Sequence, residues 1–165
     1  MNQIRWGIIG PGTIAHNFAD ALKESYSGQL KGIASYNEER RENFGNKYNI
    51  ENKFRFHDYE SLLNSNDVDA IYISTPHTLH AELSIQAAGR GKHVLCEKPA
   101  AVNLSEGKRI INAVREAGVF YMEGFMYRCH PQIPALLKII KENKIGKINK
   151  IISSFGFDTK KVIPE

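Results

Sequence analysis

The 165-residue sequence predicts an α/β fold with a doubly wound, mainly parallel sheet, followed by only the start of a second, α+β domain. Short apolar runs with strand character alternate with segments of helical periodicity along the first 124 residues. A glycine-rich turn separates the first strand from the first helix. The segment from Ile4 to Tyr36 spans about the 30 residues that one βαβ unit needs.

Apolar patterning predicts the first three elements. The run Ile4–Ile9 is a short buried strand, and Gly10-Pro11-Gly12 ends it. Apolar residues then recur at the spacing of one helix face, at Ile14, Phe18, Ala21 and Leu22. Leu30–Tyr36 follows as the second strand.

The alternation continues with four more strands and four more helices before it loosens after Met122. The strands are predicted at Phe54–Phe56, Asp69–Ser74, Lys92–Cys96 and Val119–Met122. The helices are predicted at Glu38–Tyr48, after Asp58, through Leu79, Leu83 and Ala87, and from Asn103 to Gly118. The Asp58 side chain can cap the N-terminus of the helix that follows it, and Asn103 forms a capping box with Glu106. This order of elements predicts a parallel sheet with helices on both faces.

The last part of the chain has a different pattern. Pro131 stands where a first helical turn accepts proline, and an apolar stripe follows at Ile133, Leu136, Leu137 and Ile140. Lys147–Phe157 is predicted to be a final strand whose apolar edge would be exposed without a partner. We therefore expect this strand to be disordered, to pair with another copy or to dock onto the first domain.

Composition and charge exclude several classes of protein. The net charge of +4 permits a nucleic-acid partner, but the basic residues are dispersed and no aromatic platform interleaves with them. No apolar run approaches the ~20 residues that span a bilayer, and the first run is too short for a signal peptide. We expect a cytoplasmic chain with no nucleic-acid and no membrane partner, in which Cys96 and Cys129 are reduced.

Gly10-Pro11-Gly12-Thr13-Ile14-Ala15 is a G-x-G-x-x-A motif between a strand and a helix. Gly10 permits the tight turn, Gly12 has no side chain to block a pyrophosphate, and Ala15 lets the helix pack close to the strand. The helix N-terminus offers free N–H groups and a positive dipole end to the anion. The sequence therefore predicts a Rossmann-type domain that binds a dinucleotide, with NADP or NAD as the cofactor.

The choice between NADP and NAD depends on the end of the second strand, about 20 residues after the glycines. An acid there favours NAD by binding the ribose 2′-hydroxyl, but Ser35, Tyr36 and Asn37 occupy this position. Ser35 could hydrogen-bond a hydroxyl or a phosphate, and Arg40 and Arg41 could reach a 2′-phosphate. The sequence leans towards NADP and leaves NAD open.

Glu97-Lys98-Pro99 follows the fifth strand, at the end where a parallel sheet forms its ligand crevice. A lysine there can polarise a carbonyl or ease proton loss from an alcohol. Glu97 could hold that ammonium or a ribose hydroxyl. Taken alone, these three residues favour a surface ion pair at a strand end over a catalytic group.

Four motifs in order give the sequence a family resemblance. They are Gly10-Pro11-Gly12-x-x-Ala15, Ser74-Thr75-Pro76-His77-x-x-His80, Glu97-Lys98-Pro99 and Glu123-Gly124-Phe125-Met126-Tyr127-Arg128-Cys129-His130-Pro131. The chain resembles the Gfo/Idh/MocA oxidoreductases, such as glucose–fructose oxidoreductase and inositol dehydrogenase, over nearly its whole length. With all four motifs present, the functional interpretation of Lys98 is favoured over the ion pair.

The resemblance implies a role for each matching residue. Gly10, Gly12, Thr13 and Ile14 should line the dinucleotide phosphates, and Thr75, Pro76 and His77 should border the cofactor at the fourth strand end. Glu97 and Lys98 should lie by the nicotinamide, with Lys98 as the catalytic residue, and Arg128 should lie near the cofactor or substrate crevice. The sequence departs from the family at His77 and Tyr36, where Asn and Arg are common.

The spacing of His77 and His80 also raises the question of a metal. No carboxylate or thiol with ligand spacing accompanies them, so no metal site is predicted. Within the family pattern, His80 is expected to cap or pack the helix after the fourth strand.

These observations predict the N-terminal, cofactor-binding half of an NAD(P)-dependent oxidoreductase. Residues 1–124 would form the dinucleotide-binding domain, and residues 125–165 a junction helix and the first strand of a truncated substrate domain. The resemblance implies hydride transfer between nicotinamide and a sugar- or polyol-type alcohol or carbonyl, and it allows a homo-oligomer. Two alternatives stay open: a non-catalytic dinucleotide-binding module, and one subunit of a split enzyme.

Overall fold

A computed structural model describes residues 3–156 and contains one six-stranded parallel sheet. The strands are β1 (Ile4–Ile9), β2 (Gly28–Ala34), β3 (Arg55–Phe56), β4 (Ala70–Ile73), β5 (His93–Cys96) and β6 (Tyr121–Glu123). Their order across the sheet is β3-β2-β1-β4-β5-β6, and every neighbouring pair is parallel. The predicted doubly wound α/β fold is therefore confirmed.

In the described part of the chain, six helices lie between or after these strands. They are α1 (Thr13–Lys23), α2 (Glu38–Lys47), α3 (Tyr59–Leu63), α4 (His80–Gly89), α5 (Leu104–Ala117) and α6 (Gln132–Lys141). Short 3-10 turns occur at Asn52–Phe54, His77–Leu79 and Met126–Cys129. The predicted helices are all present, but β2 ends two residues before the predicted Tyr36, which leaves Ser35 directly beyond the strand. Within residues 3–156, no helix combines the length and the apolar character that crossing a bilayer requires.

Side chains at the helix ends account for where two helices begin. Asp58 accepts a hydrogen bond from the Ser61 amide at 2.6 Å and so caps α3. Asn103 accepts from the Glu106 amide at 2.9 Å and caps α5. Gly118 ends α5 in the left-handed conformation, with φ of 64°. These three signals were readable from the sequence.

The sheet is buried on both faces, because successive residues of its central strands enter different cores. Ile8 packs with Ala15, Ile33 and Phe44 beneath α1 and α2. Its neighbour Ile9 belongs to a second core that contains Leu62, Leu63, Ile71, Ile73, Leu83 and Ala87. Burial on both faces explains why the central strands are nearly continuous apolar runs rather than alternating ones.

The described residues fall into two compact units divided after Phe125. The first contains the whole sheet and α1 to α5, and the second contains the last 3-10 turn and α6. The strand predicted at Lys147–Phe157 is not formed over residues 147–156, which are neither helix nor strand; Phe157 lies outside the described residues. A strand needs a neighbour for its backbone hydrogen bonds, and the described part of the second unit contains no other strand.

Candidate functional site

The carboxyl ends of four neighbouring strands meet in one row. The register pairs Ile9 with both Ala34 and Ile73, and it pairs Ile73 with Cys96. The residues that follow these strand ends lie side by side along one edge of the sheet: Ser35, Gly10, Ser74 and Glu97. The ladder continues into this row, since the Ser74 amide donates to the Ile9 carbonyl at 3.0 Å. The fold thus brings the glycine motif and the motifs after the fourth and fifth strands to one crevice.

Gly10 makes the turn that the motif requires. Its φ is 89°, and a Cβ there would lie 3.1 Å from both the Ser74 carbonyl oxygen and the Thr75 Cγ2. The Ser74 hydroxyl lies 2.7 Å from the Gly10 carbonyl oxygen and 3.1 Å from that of Ile9, so it can donate to the turn from the neighbouring strand. Glycine is therefore needed at position 10 for both conformation and space.

Gly12 stands at the N-terminus of α1, which no side chain caps. A Cβ built on Gly12 meets no atom within 4 Å, so the space beside its backbone is open. The amides of Thr13 and Ile14 have no hydrogen-bond partner within residues 3–156. Open space beside free donors at a helix N-terminus fits a pyrophosphate, whose charge the helix dipole also favours.

The end of β2 is held by Arg41 from the following helix. Its Nη1 donates to the Ser35 carbonyl at 3.1 Å, and its Nε donates to the Glu42 carboxylate at 3.1 Å. The Ser35 hydroxyl accepts from the Asn37 amide at 3.2 Å and keeps its own proton to donate. Arg40 is exposed, and its side chain makes no hydrogen bond or ion pair within residues 3–156. The structure therefore places Arg41, rather than Arg40, against the strand end.

The loop after β4 presents three of the predicted cofactor-binding residues. Thr75 is buried, and its hydroxyl has no hydrogen-bond partner among the described residues. Pro76 and His77 are exposed at the start of the 3-10 turn. His80, the first residue of α4, is 1% exposed, with Nε2 2.8 Å from the Thr75 carbonyl oxygen and Nδ1 2.8 Å from the Pro99 carbonyl oxygen. It does not cap α4, whose N-cap is Leu79 without a side-chain hydrogen bond.

Glu97 is held by a tyrosine and not by the neighbouring lysine. The buried Tyr72 hydroxyl donates to Glu97 Oε1 at 2.7 Å, and the Tyr72 ring stacks on Phe18 with centroids 4.1 Å apart. Burial, and then the hydrogen bond to Glu97, strongly raise the pKa of Tyr72, so this phenol stays a donor. The other oxygen, Oε2, is 3.3 Å from the Lys98 amide.

Lys98 presents a free ammonium at this edge. Its side chain is exposed and makes no ion pair or hydrogen bond within residues 3–156. The surface ion pair that Glu97 and Lys98 alone would favour is therefore not formed. The loop that contains Lys98 is also fixed from β6, because Glu123 Oε1 accepts from the Ala100 amide at 2.8 Å.

The remaining sequence predictions concern Arg128 and metal binding. Arg128 lies in the 3-10 turn Met126–Cys129 of the second unit and is exposed. Its role toward the crevice stays a prediction. Among residues 3–156, no group of three or more His, Cys, Asp or Glu side chains is arranged to hold a metal ion. Cys96 is buried and Cys129 exposed, and both are free.

Sequence reasoning did not assign the contacts of three residues that organise the crevice. Tyr72, Ser74 and His80 all act through contacts to residues distant in the chain. The signal for Ser74 and His80 was their place in a motif directly after a strand. Tyr72 had no local signal, because it is one apolar-looking residue within a buried strand.

Comparison with known proteins identifies the family. Residues 4–125 match the model of the GFO_IDH_MocA family, described as an oxidoreductase family with an NAD-binding Rossmann fold. The chain belongs to this family. The match ends at the same residue as the first compact unit.

Similar proteins include a curated enzyme and two solved structures. Mouse (Mus musculus) trans-1,2-dihydrobenzene-1,2-diol dehydrogenase is 34% identical over 157 residues, which are 94% of this chain and 46% of that enzyme. The 3-ketoreductase KijD10 of Actinomadura kijaniata, solved with NADP, has a TM-score of 0.79 and 36% identity, covering 89% of this chain and 46% of that one. The WlbA dehydrogenase of Bordetella pertussis, solved with NADH and UDP-GlcNAcA, has a TM-score of 0.80 and 28% identity, covering 89% and 44%. The chain thus spans about half the length of the curated relatives it matches.

Proposed function

We propose that this chain is the N-terminal, cofactor-binding half of an NAD(P)-dependent oxidoreductase and that the dinucleotide binds along the carboxyl edge of the sheet. Residues 1–124 form the dinucleotide-binding domain, and residues 125–165 begin the substrate domain. The observation that carries the proposal is the N-terminus of α1, where the open space at Gly12 adjoins the free amides of Thr13 and Ile14. Membership of a family with an NAD-binding Rossmann fold supports it.

The phosphate-binding residues in this proposal are Gly10, Gly12, Thr13 and Ile14. Gly10 turns the chain so that α1 points its N-terminus at the anion, and Gly12 lets the backbone approach it. Thr13 and Ile14 donate their amide hydrogens. Thr75, Pro76 and His77 border the cofactor from the neighbouring strand end.

Lys98 is the proposed catalytic residue. When bound, the nicotinamide supplies or accepts a hydride. In the reduction, the ammonium of Lys98 would donate a hydrogen bond and then its proton to the substrate oxygen, which stabilises the negative charge that develops there; in the oxidation, the neutral amine of Lys98 would take the proton that the alcohol loses. Glu97, held through Oε1 by Tyr72, offers Oε2 to a ribose hydroxyl. A role for Arg128 near the substrate or cofactor crevice is proposed on the family motif alone.

NADP is the proposed cofactor, with NAD as the alternative. The two solved relatives were crystallised with NADP in one case and NADH in the other, so this chain's own residues have to decide. None of the residues Ser35, Tyr36 and Asn37 after β2 is an acid, and Arg41 holds Nη1 against the Ser35 carbonyl while its Nε binds Glu42. A charge-assisted hydrogen bond from Arg41 and one from the Ser35 hydroxyl favour the phosphate.

The proposed substrate is a small sugar- or polyol-type alcohol, or the corresponding carbonyl compound. The similar proteins include a dehydrogenase named for a vicinal diol and a ketoreductase, which supports this class. The alternative functions are a dinucleotide-binding module without catalysis and one subunit of a split enzyme.

Two measurements on the 165-residue chain test the proposal. Isothermal titration with NADP and NAD should show saturable binding of one or both, and absence of binding of either would refute it. Loss of nicotinamide absorbance with a panel of ketoses, inososes and diketones then tests hydride transfer. Turnover that the Lys98→Met variant lacks, at unchanged affinity for the dinucleotide, supports catalysis by Lys98. Binding without turnover supports the module or the split enzyme.

A further inference from the structure

We infer that His80 is a positioning residue that joins the two loops on the nicotinamide side of the crevice. The inference rests on the proposed dinucleotide site. His80 is buried at the first position of α4, and its two ring nitrogens each lie 2.8 Å from a backbone carbonyl oxygen. One carbonyl belongs to Thr75 in the loop after β4, and the other belongs to Pro99 in the loop after β5.

The imidazole ring places a nitrogen against a carbonyl oxygen on each of two opposite sides. A ring N–H donates to the carbonyl oxygen that it faces, and the short planar ring bridges the two loops. An amide side chain carries both of its hydrogens on one nitrogen and cannot face the two carbonyls in the same way. A leucine of similar volume would offer a donor to neither carbonyl, and the Thr75 carbonyl would then be buried without a partner.

The loops that His80 joins contain the groups proposed to act on the cofactor. The Thr75 loop continues into Pro76 and His77, and the Pro99 loop begins with Glu97 and Lys98. Pro99 adjoins Lys98 directly, so the His80 contact fixes the backbone on one side of the catalytic lysine. Glu123, through the Ala100 amide, fixes the same loop on the other side. His80 therefore sets the distance between the two loops without touching the ligand.

A comparison of the whole dinucleotide with a ligand that contains only its adenine half tests this role. NADPH spans the whole crevice, whereas adenosine 2′,5′-bisphosphate contains only the adenine half and lies toward β2. In the His80→Gln variant, which keeps one donor group, we expect the Kd of NADPH to rise about tenfold, as the loss of one positioned hydrogen bond predicts. The Kd of the bisphosphate should change by less than about twofold, because the β1 and β2 ends are untouched. The His80→Asn variant, with a shorter reach, should show the same split; NADH and ADP replace the two ligands if the chain prefers NAD.

Ala87→Gly is the matched control, since Ala87 is buried in the same helix and its carbonyl accepts hydrogen bonds from the Arg90 and Lys92 amides rather than from either loop. It should leave the ratio of the two dissociation constants unchanged. Amide hydrogen exchange in the ligand-free protein adds a measurement that needs no cofactor. His80→Gln should speed exchange in residues 74–77 and 97–100, and Ala87→Gly should not do so selectively.

The outcomes separate this inference from the proposed function. Equal weakening of both ligands, or unchanged affinity together with unchanged loop exchange, overturns the role of His80. Absence of dinucleotide binding in the unaltered chain refutes the proposed function, and loop exchange alone then decides whether His80 joins the loops.

Discussion

The two glycines of the first turn are needed for different reasons, Gly10 for the fold and Gly12 for the proposed ligand. Alanine substitutions distinguish the two roles. Gly12→Ala places its methyl group in open space at a φ of −85°, so the fold tolerates it and the free energy of unfolding should change by less than about 1 kcal/mol. The same methyl group occupies the space proposed for the pyrophosphate, so the Kd of NADPH should rise by about tenfold or more. Titration calorimetry and urea unfolding measure the two effects.

Gly10→Ala is the matched control for that experiment. Its methyl group lies 3.1 Å from the Ser74 carbonyl oxygen, in a backbone conformation that L-residues rarely adopt. We expect it to lower the free energy of unfolding by about 1–3 kcal/mol. If Gly12→Ala instead destabilised the protein and left NADPH binding intact, the assignment of the phosphate site would be wrong.

Arg41 is the residue that we expect to favour NADP over NAD in the proposed site. Arg41→Ala removes the guanidinium at the end of β2, and the Kd of NADP should rise about tenfold while that of NAD changes little. The loss for NADP should shrink at high salt, because the interaction is between charges. Arg40→Ala is the control, since it removes the same charge from the neighbouring position of the helix while Arg41 alone contacts the end of β2. Equal effects of the two variants would contradict the role of Arg41.

At the residue scale, the sequence predicted what a local motif specifies. Gly10, Gly12 and the free helix N-terminus follow from six consecutive residues. Tyr72, Ser74 and His80 could not be assigned their contacts, because each contact depends on which strands become neighbours. Tyr72 meets Glu97 only because β4 and β5 are paired, with Ile73 beside Cys96.

The helix caps show what sequence predicts at the scale of elements. Asp58→Ala should lower the free energy of unfolding near pH 7 by about 1 kcal/mol, because the Ser61 amide loses its acceptor. Asp58→Asn keeps an acceptor and should have little effect. Urea unfolding of the three proteins measures both differences.

The same cap predicts a pH dependence. The backbone hydrogen bond from Ser61 holds the pKa of Asp58 below its ordinary value of 3.8. A carboxyl with a lowered folded-state pKa stabilises the protein above that ordinary value, and the stabilisation is lost as the pH falls through the folded-state pKa. The advantage of the unaltered protein over Asp58→Ala should therefore shrink below about pH 4, while the advantage of Asp58→Asn persists. A constant difference down to about pH 2 would contradict the cap's role.

The strand predicted at Lys147–Phe157 shows where element prediction fails. Its residues have strand propensity, as do those of β1, yet β1 has β2 and β4 on its two sides. Residues 147–156 have no strand beside them in the described second unit, and Ile151, Ile152 and Phe155 are exposed. A helix closes its hydrogen bonds within itself, so α6 forms from its own sequence. A strand depends on partners that a local pattern cannot show.

At the scale of the whole molecule, the order of strands in the sheet brings motifs that are distant in the sequence to one crevice. Alternation of strands and helices predicted the parallel sheet, and right-handed connections restrict the orders it can take. The order β3-β2-β1-β4-β5-β6 puts β1 between β2 and β4. The glycine turn therefore lies between the proposed 2′-phosphate contacts and the Thr75 loop, with Lys98 one strand further. A dinucleotide laid along this edge passes these groups in that order.

The division after Phe125 predicts that cofactor binding needs only the first unit. The whole sheet, the proposed phosphate and nicotinamide contacts and the Glu123 contact to Ala100 precede this point, and of the proposed site residues only Arg128 follows it. A chain cut after Phe125 should fold and bind NADPH with a Kd within about twofold of the uncut value. At a ligand concentration of about 100 times Kd, NADPH should stabilise both chains by about 2.7 kcal/mol. The two rises in Tm are equal only if the two chains have the same entropy of unfolding.

A chain cut after Ala117 lacks β6 and Glu123, so the loop that contains Lys98 loses one of its two attachments and its affinity for NADPH should fall. Loss of NADPH binding on cutting after Phe125 would show that residues 126–165 complete the cofactor site.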